Sequence, residues 1–513
     1  MTDRLTLSDA LSTELAHWFD GSDVVSPSLN YAVWDRDGVV FHHGVGQFTR
    51  DGRAPEVDTI YRIASMSKSF LVAAVLVLQE RGQLNLDDAV RTHVPEFRNF
   101  VDPAGVEIPI TVRMLMANSS GMPEDNAWAD YELRLSREGF LDQVKAGVKF
   151  ADYPDVAYQY SNFGFWLLGL IVENISGQPF DNFATETLLE PLGLTRTSYD
   201  WRVFPEGGES GAGIAHSLES FDEGATWFDR PFIGDGSGAG ACAASMYSTL
   251  PDIARWSSWL ASSFDATNTD DAILSRASRR LMQRIHTPVA AVDERSAKTG
   301  IDNIGYGFGL FVEEDSRFGP FAHHSGGLPG VSTNMRWHLE SGIGVAVFAN
   351  TNGAKPAGPA AAILRRVMEE VDAPARSITL WPETIEAAAG IEASILSLGH
   401  VLGASDLFSP NLLDDVPAEE RQRRLDKAVT EIGGLLPAGG VAPLRQRLSW
   451  ALSGAHLVWT IPGQAGDLEL KLEMTETTPS MIQRLNIAPA KPAEGSGSDG
   501  PVSRHYLPVL PPS

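Results

Sequence analysis

The stretch Ile63–Leu78, IASMSKSFLVAAVLVL, carries a single charged side chain, Lys68, in the first turn of the most apolar helical pattern in the chain. A cation there faces the positive end of the helix macrodipole, and lysine is seldom buried without a partner. Ser65 gives the position a use. Residues three apart share a helix face, so the hydroxyl and the ammonium become neighbours at the N-terminal end. Serine is a weak nucleophile until a base takes its proton. A lysine desolvated by apolar surroundings can have its pKa lowered enough to be that base. The Ser65 backbone N–H also lies at the helix N-terminus, where an oxyanion is favoured. S-x-x-K arises by chance in many proteins, so the pair needs support from the rest of the chain.

Working outward, SLNYAVWDRDGVVFHHGVGQF (28–48) gives two apolar runs around Asp35-Arg36-Asp37-Gly38, a hairpin signal. Residues 6–19 have an amphipathic helix pattern, and DTIYRIAS (58–65) is a short strand-like run. YSNFGFWLLGLIVENISG (160–177) is a second thoroughly apolar helix, stopped at Gly177. Helices and loops dominate from 178 to about 300, after which strand signals return in YGFGLFVEED, FAHHSGG, STNMRWHLE and GIGVAVFAN. Strands at both ends with helices between them imply an α/β (α+β) domain. Its antiparallel sheet is closed by its own termini, flanked by helices and carries a helical subdomain.

Composition changes at DAPARSITLWPET (372–384), a linker-like stretch. Beyond it come a helix pattern near 418–432 and two strand-like runs, AHLVWTI and DLELKLEM, the latter with alternating apolar residues. The expected division is a large domain over 1–375, a small α+β domain over 376–487 and a flexible tail over 488–513, where APAKPAEGSGSDGP has linker composition.

The 513 residues carry a formal net charge of −26, which repels nucleic acid and anionic membrane surfaces. The longest apolar runs, Phe70–Leu78 and Phe163–Val172, are too short to span a bilayer. The N-terminal MTDRLTLSDALSTELAHWFDG has no continuous apolar segment of the kind a secretory signal needs, so a cytoplasmic location is expected. The single cysteine, Cys242, excludes an intrachain disulfide and a cysteine-rich metal site, and its small-residue surroundings read as a buried, inert thiol.

Two further segments bear on Ser65 and Lys68. Tyr160-Ser161-Asn162 stands on a loop directly before the second apolar helix, where tyrosine and asparagine can be polar loop residues or a helix cap. His324-Ser325-Gly326-Gly327 ends a strand-like run, with glycines that permit close backbone approach to a ligand. His323-His324 also fits a surface pair or a weak metal site, but no second ligand cluster at zinc spacing accompanies it. Ser67 and Ser69 read as helix-lining, Ser119 and Ser120 as a helix stop, and Tyr306 as packing. Trp128 and Trp227 are loop candidates for an apolar pocket wall.

Ser65-x-x-Lys68, Tyr160-x-Asn162 and His324-x-Gly326, in this order and at these separations, resemble the serine β-lactamase and penicillin-binding protein superfamily. The branch is the class C-like one (peptidase family S12), which also holds D-aminopeptidases, DD-carboxypeptidases and family VIII esterases. The likeness covers roughly 10–370, with GQLNLDDAV, ITVRMLMANSSGMP, EPLGLTRTSY and HSGGLPG as further landmarks. It implies Ser65 as acylating nucleophile, Lys68 as first candidate base with Tyr160 sharing or relaying the proton, and Asn162 orienting the acyl side chain or Lys68. It places the backbone N–H groups of Ser65 and Gly327 in an oxyanion hole, with His324, Ser325 and Gly326 along the substrate. His324 stands where lactamases usually carry lysine, and a histidine is only partly charged near neutral pH.

The implied activity is cofactor-free and metal-free hydrolysis of small esters, amides or short peptides through an acyl-enzyme. A β-lactamase or D-Ala-D-Ala carboxypeptidase is the alternative within the enzyme class, and a catalytically silent ligand-binding module the alternative outside it. Homo-oligomer formation is left open.

Overall fold

Ser28–Asp35 (β1) and Gly38–Gly46 (β2) form the hairpin expected from the alternating runs, pairing antiparallel around Arg36-Asp37. They join Thr287–Pro288 (β3), Ile301–Tyr306 (β4), Phe311–Asp315 (β5), Gly319–Leu328 (β6), Val331–His338 (β7) and Gly344–Ala349 (β8). The sheet order is β2-β1-β8-β7-β6-β5-β4-β3, every pairing antiparallel. Thus β1, near one end of the unit, pairs with β8, near the other, which closes the sheet by its own termini. The computed structural model describes residues 4–50, 52–207, 213–230, 238–289, 301–371, 377–490 and 506–510. It divides into two units, Met1–Ala373 and Pro374–Ser513.

Both faces of the large sheet are covered. Asp9–Ala16 (α1) starts after Ser8, whose hydroxyl accepts the Leu11 N–H, so the expected 6–19 helix is realised over its middle. Leu11 and Leu15 join Tyr31 and Val33 of β1, Val345 and Val347 of β8, and Ile363, Leu364 and Val367 of the late helix Ala357–Glu370. The opposite face, with Ala32 and Trp34, belongs to the larger core around Ser67–Glu80 (α2) and Asn162–Ser176 (α3). Side chains along β1 alternate between two packed faces, so the whole strand is buried rather than half wet.

Helix α2 is apolar on every side and every residue from Ser67 to Leu78 is buried. It ends where Gly82 adopts φ +69°, with the Gly82 N–H on the Gln79 carbonyl and the Gln83 N–H on Leu78. That is the hydrogen-bond pair of a Schellman stop. Helix α3 ends at Gly177, also left-handed.

In the second unit, Pro382–Leu398 (α4) and Ala418–Glu431 (α5) pack on the sheet Leu448–Trp450 (β9), His456–Pro462 (β10), Asp467–Met474 (β11) and Ile482–Pro489 (β12), an antiparallel meander. Leu468, Leu470, Leu472 and Met474 point inward as their alternation requires. Two boundaries differ from expectation. Within the linker-like 372–384, Ser377–Thr379 is a strand and Trp381-Pro382 opens α4, proline serving at the first turn where no donor is needed. Within the expected tail, Ala488 and Pro489 end β12, and Leu507–Val509 pairs in parallel with Ser377–Thr379. The backbone groups of a three-residue strand, not its composition, hold it there. Residues 491–505 and 511–513 lie outside the described residues.

Candidate active site

The segment before α2 is fixed from two sides. Tyr61–Arg62 pairs with Tyr247–Ser248, and the Ile63 N–H donates to the Met246 carbonyl. Ala64 then takes φ +48°, a conformation that costs a non-glycine residue about 1 kcal/mol or more. This sharp turn delivers Ser65 on a single turn of 3₁₀ helix, Ala64–Met66, just ahead of α2. Ser67 and Ser69 return their hydroxyls to the Ala64 and Met66 carbonyls, so they line the helix start.

The Lys68 ammonium donates to Ser65 Oγ at 3.0 Å, to Asn162 Oδ1 at 2.7 Å and to the Ala243 carbonyl at 3.4 Å. It lies 5.0 Å from the Tyr160 ring centroid and 5.3 Å from that of Phe165. Lys68 is wholly buried. Burial pushes its ammonium down to about 8, against the Asp125 and Asp130 carboxylates, which favour the charged form. Burial pushes the Tyr160 phenol well above its usual range, opposed by a hydrogen bond with Ser65. Tyr160 is therefore a protonated phenol at neutral pH, in contact with the candidate nucleophile. Ser65, Lys68, Tyr160 and Asn162 form one cluster.

Asn162 is held by groups that the sequence reading did not select. Its Nδ2 donates to Asp125 Oδ1 at 3.0 Å and to Asn126 Oδ1 at 2.8 Å. Asp125 also accepts the backbone N–H groups of Asn162 and Phe163, both at 2.8 Å, and so caps α3 together with Ser161. An acidic residue at a helix N-terminus was the available signal, but Asp125 lies 37 residues before the helix it caps.

The strand β6 brings the remaining expected residues. Gly326 packs so closely on the segment ahead of Ser65 that an added Cβ would stand 2.1 Å from the Ile63 carbonyl oxygen. Thr333 Oγ1 donates to the same oxygen at 3.0 Å. At Gly327 an added Cβ would have only Asn352 Oδ1 at 4.0 Å, so its surroundings are open. Ser325 Oγ accepts the Asn334 amide at 3.0 Å.

His324 departs from the partly charged group expected. It is 2% exposed, its Nδ1 donates to the Ser325 carbonyl at 2.6 Å, and its Nε2 accepts the Tyr306 hydroxyl at 3.2 Å. Burial and the nearby Lys68 charge push it down to about 3, so the imidazole is neutral. Tyr306, read from sequence as packing, is fully buried but also positions His324. Trp128 is 41% exposed, its ring 5.4 Å from that of Trp166, while Trp227 lies beside the Leu218–Glu219/Phe228–Asp229 hairpin. His323 is buried 3.1 Å from Glu313, not on the surface. Among the described residues no group of three or more His, Cys, Asp or Glu is placed to hold a metal. Cys242 is buried, its Sγ facing the Ala239 and Phe165 carbonyls, and burial pushes its thiol up to about 12.

No helix among the described residues is long and apolar enough to cross a membrane. The chain is 27% identical over 335 residues to Protein flp of Staphylococcus aureus (strain COL), a match covering 64% of this chain and 60% of flp. It therefore spans under two thirds of that relative's length. Among solved structures, the octameric penicillin-binding protein homologue from Pyrococcus abyssi is 19% identical, with TM-score 0.57, over 94% of this chain and 100% of that one. A D-stereospecific amidohydrolase from Streptomyces sp. is 20% identical, with TM-score 0.53, over 71% and 98%. These two likenesses are of fold. The Beta-lactamase family model matches residues 20–370, two thirds of the sequence, including every strand of the large sheet and both Ser65 and Lys68, and the chain belongs to that family.

Proposed function

We propose that the protein is a serine hydrolase acting through a covalent acyl-enzyme on small, neutral esters or amides. The observation that carries this reading is the 3.0 Å contact between Ser65 Oγ and the ammonium of a lysine whose burial lowers its pKa to about 8. At neutral pH about a tenth of Lys68 is then the free amine. That amine takes the Ser65 proton, directly or through the Tyr160 phenol, as Oγ attacks the substrate carbonyl. The tetrahedral oxyanion is met by the N–H groups of Ser65 and Gly327, one such donor typically being worth about a hundred- to thousandfold in rate. Collapse breaks the ester or amide bond and the leaving group takes the proton from Lys68 or Tyr160. Water, deprotonated by the same pair, releases the acid and restores Ser65.

The neutral imidazole of His324, hydrogen-bonded at both ring nitrogens, has no charge to offer a substrate carboxylate. That supports neutral esters and amides over carboxylate-bearing lactams and peptides. A fluorophosphonate probe followed by intact-mass and peptide spectrometry tests the nucleophile; the expected adduct is on Ser65, and an unlabelled native protein would overturn the reading. A panel of p-nitrophenyl acetate and butyrate, D-amino-acid amides, a D-Ala-D-Ala peptide and nitrocefin tests the substrate class. The first two groups are expected to be turned over faster than the last two.

A further inference from the structure

Asn162 could face Lys68 with either end of its amide, and only one end suits a lysine that must alternate between ammonium and amine. The oxygen is the end that faces it, at 2.7 Å. The other end explains why. Both Nδ2 hydrogens are taken, by Asp125 Oδ1 at 3.0 Å and Asn126 Oδ1 at 2.8 Å. A carboxylate only accepts, so Asp125 cannot tolerate the reversed amide. The carboxylate is itself fixed because its two oxygens receive the first N–H groups of α3, from Asn162 and Phe163. A hydroxyl contact from Ser161 at 3.4 Å adds to this clamp.

We propose that Asp125 is a positioning residue for the reaction: it locks the Asn162 amide with its oxygen toward Lys68 and so sets the geometry and charge of the Ser65–Lys68 pair. The inference rests on the hydrolase reading given above. The ionisable groups acting on Lys68 are Asp125, Asp130 and Cys242. Burial pushes the Asp130 carboxyl up to about 6 against the Lys68 and Arg62 charges, the Tyr160 ring lies 5.0 Å from the Lys68 ammonium, and the His324 imidazole is neutral. Of the two carboxylates, Asp125 alone also holds the Asn162 amide to which Lys68 donates.

The test is Asp125→Asn in the full chain. The new amide must place its NH₂ against a helix N–H or against the Asn162 NH₂. Either arrangement sets donor against donor, and the second turns the Asn162 amide over. Loss of the Asp125 charge also removes one support of the Lys68 ammonium. The expected result is a kcat lowered about tenfold or more with KM little changed. The ascending limb of the kcat–pH profile should move to lower pH. Asp125→Glu is expected to recover part of the rate.

Ser8→Ala, which removes the cap of α1 on the opposite face of the large sheet, gives the comparison for a lost helix cap alone: lower Tm, unchanged limb. Should Asp125→Asn fail to fold, Asp125→Ser, which keeps a hydroxyl acceptor for the helix N–H groups but loses the carboxylate that holds Asn162 Nδ2, is expected to lower kcat about threefold or more. Asp125 variants that melt earlier yet keep kcat within twofold and the limb in place would reduce Asp125 to a helix cap and overturn the proposal. Fluorophosphonate labelling of Ser65 in the unmodified protein is read separately; its failure strikes at the hydrolase reading rather than at Asp125.

Discussion

Two of the cations buried in the first unit, Arg336 and Lys68, are treated in opposite ways. Arg336 meets the carboxylate of Glu313 directly, inside the sheet, with His323 3.1 Å away on the same carboxylate. Burial alone would raise the Glu313 pKa, but Arg336 and His323 hold it well below the usual carboxylate range. Lys68 instead meets a hydroxyl, an amide oxygen and a main-chain carbonyl, with its carboxylates one residue further out. The first arrangement fixes a charge. The second leaves an ammonium able to lose its proton, an arrangement that costs the fold and that functional sites commonly carry.

Removing the proposed nucleophile should break the contrast most completely. Ser65→Ala is expected to lower turnover of p-nitrophenyl acetate about ten-thousandfold or more. Its Tm should change little, because a small hydroxyl near a helix start contributes about 1 kcal/mol or less. Residual turnover near that of the unmodified protein would reassign the nucleophile.

Exchanging each cation for methionine sharpens the contrast. Lys68→Met should remove activity by about a thousandfold or more and leave stability unchanged or raised by on the order of 2 kcal/mol, since a desolvated charge is lost. Arg336→Met strands Glu313 and should cost about 3–5 kcal/mol. Denaturant melts of the two variants give the answer, and a Lys68→Met protein destabilised as much as Arg336→Met would erase the distinction.

pH separates the two sites by sign. Free lysine titrates near 10.5 and Lys68 near 8, so the folded state binds fewer protons between these values. The Lys68 penalty therefore fades as pH rises from about 8 to about 10.5. Below 8, by contrast, kcat should climb roughly tenfold per pH unit, and it should level off above that value. Glu313, held below its ordinary value, stabilises the fold above about pH 4.5, and that contribution is lost as pH falls. Melts across about pH 2–11 and rates across about pH 5–9 check both.

The smallest effects separate two adjacent glycines. Gly326→Ala drives a Cβ to 2.1 Å from the Ile63 carbonyl and should cost about 1–3 kcal/mol and more than tenfold in rate by displacing Ser65. Gly327→Ala faces open space, keeps its N–H, and should stay within about 0.5 kcal/mol.

What the sequence revealed follows the same division. The Ser65–Lys68 spacing, the 28–46 hairpin and the placing of Tyr160 and Asn162 at the start of α3 are local patterns, and the structure realises them locally. His324 was legible as a residue of the site but not as a neutral one, because its state depends on the Tyr306 hydroxyl from another strand. Asp125 stayed hidden because its partners are backbone N–H groups 37 and 38 residues away. The strand at Leu507–Val509 stayed hidden because its order comes from Ser377–Thr379, across the whole second unit.

The lone thiol has a practical consequence. Cys242 is enclosed between α3 and its own small-residue turn, protonated at neutral pH, and close enough to Gly169 that a single added methyl would strike it. Iodoacetamide should spare it in the native protein and alkylate it only when the domain opens, so the mass gained over hours is a clock for global unfolding. Conversely, a cysteine installed on the surface will carry a maleimide dye alone, with no background to remove.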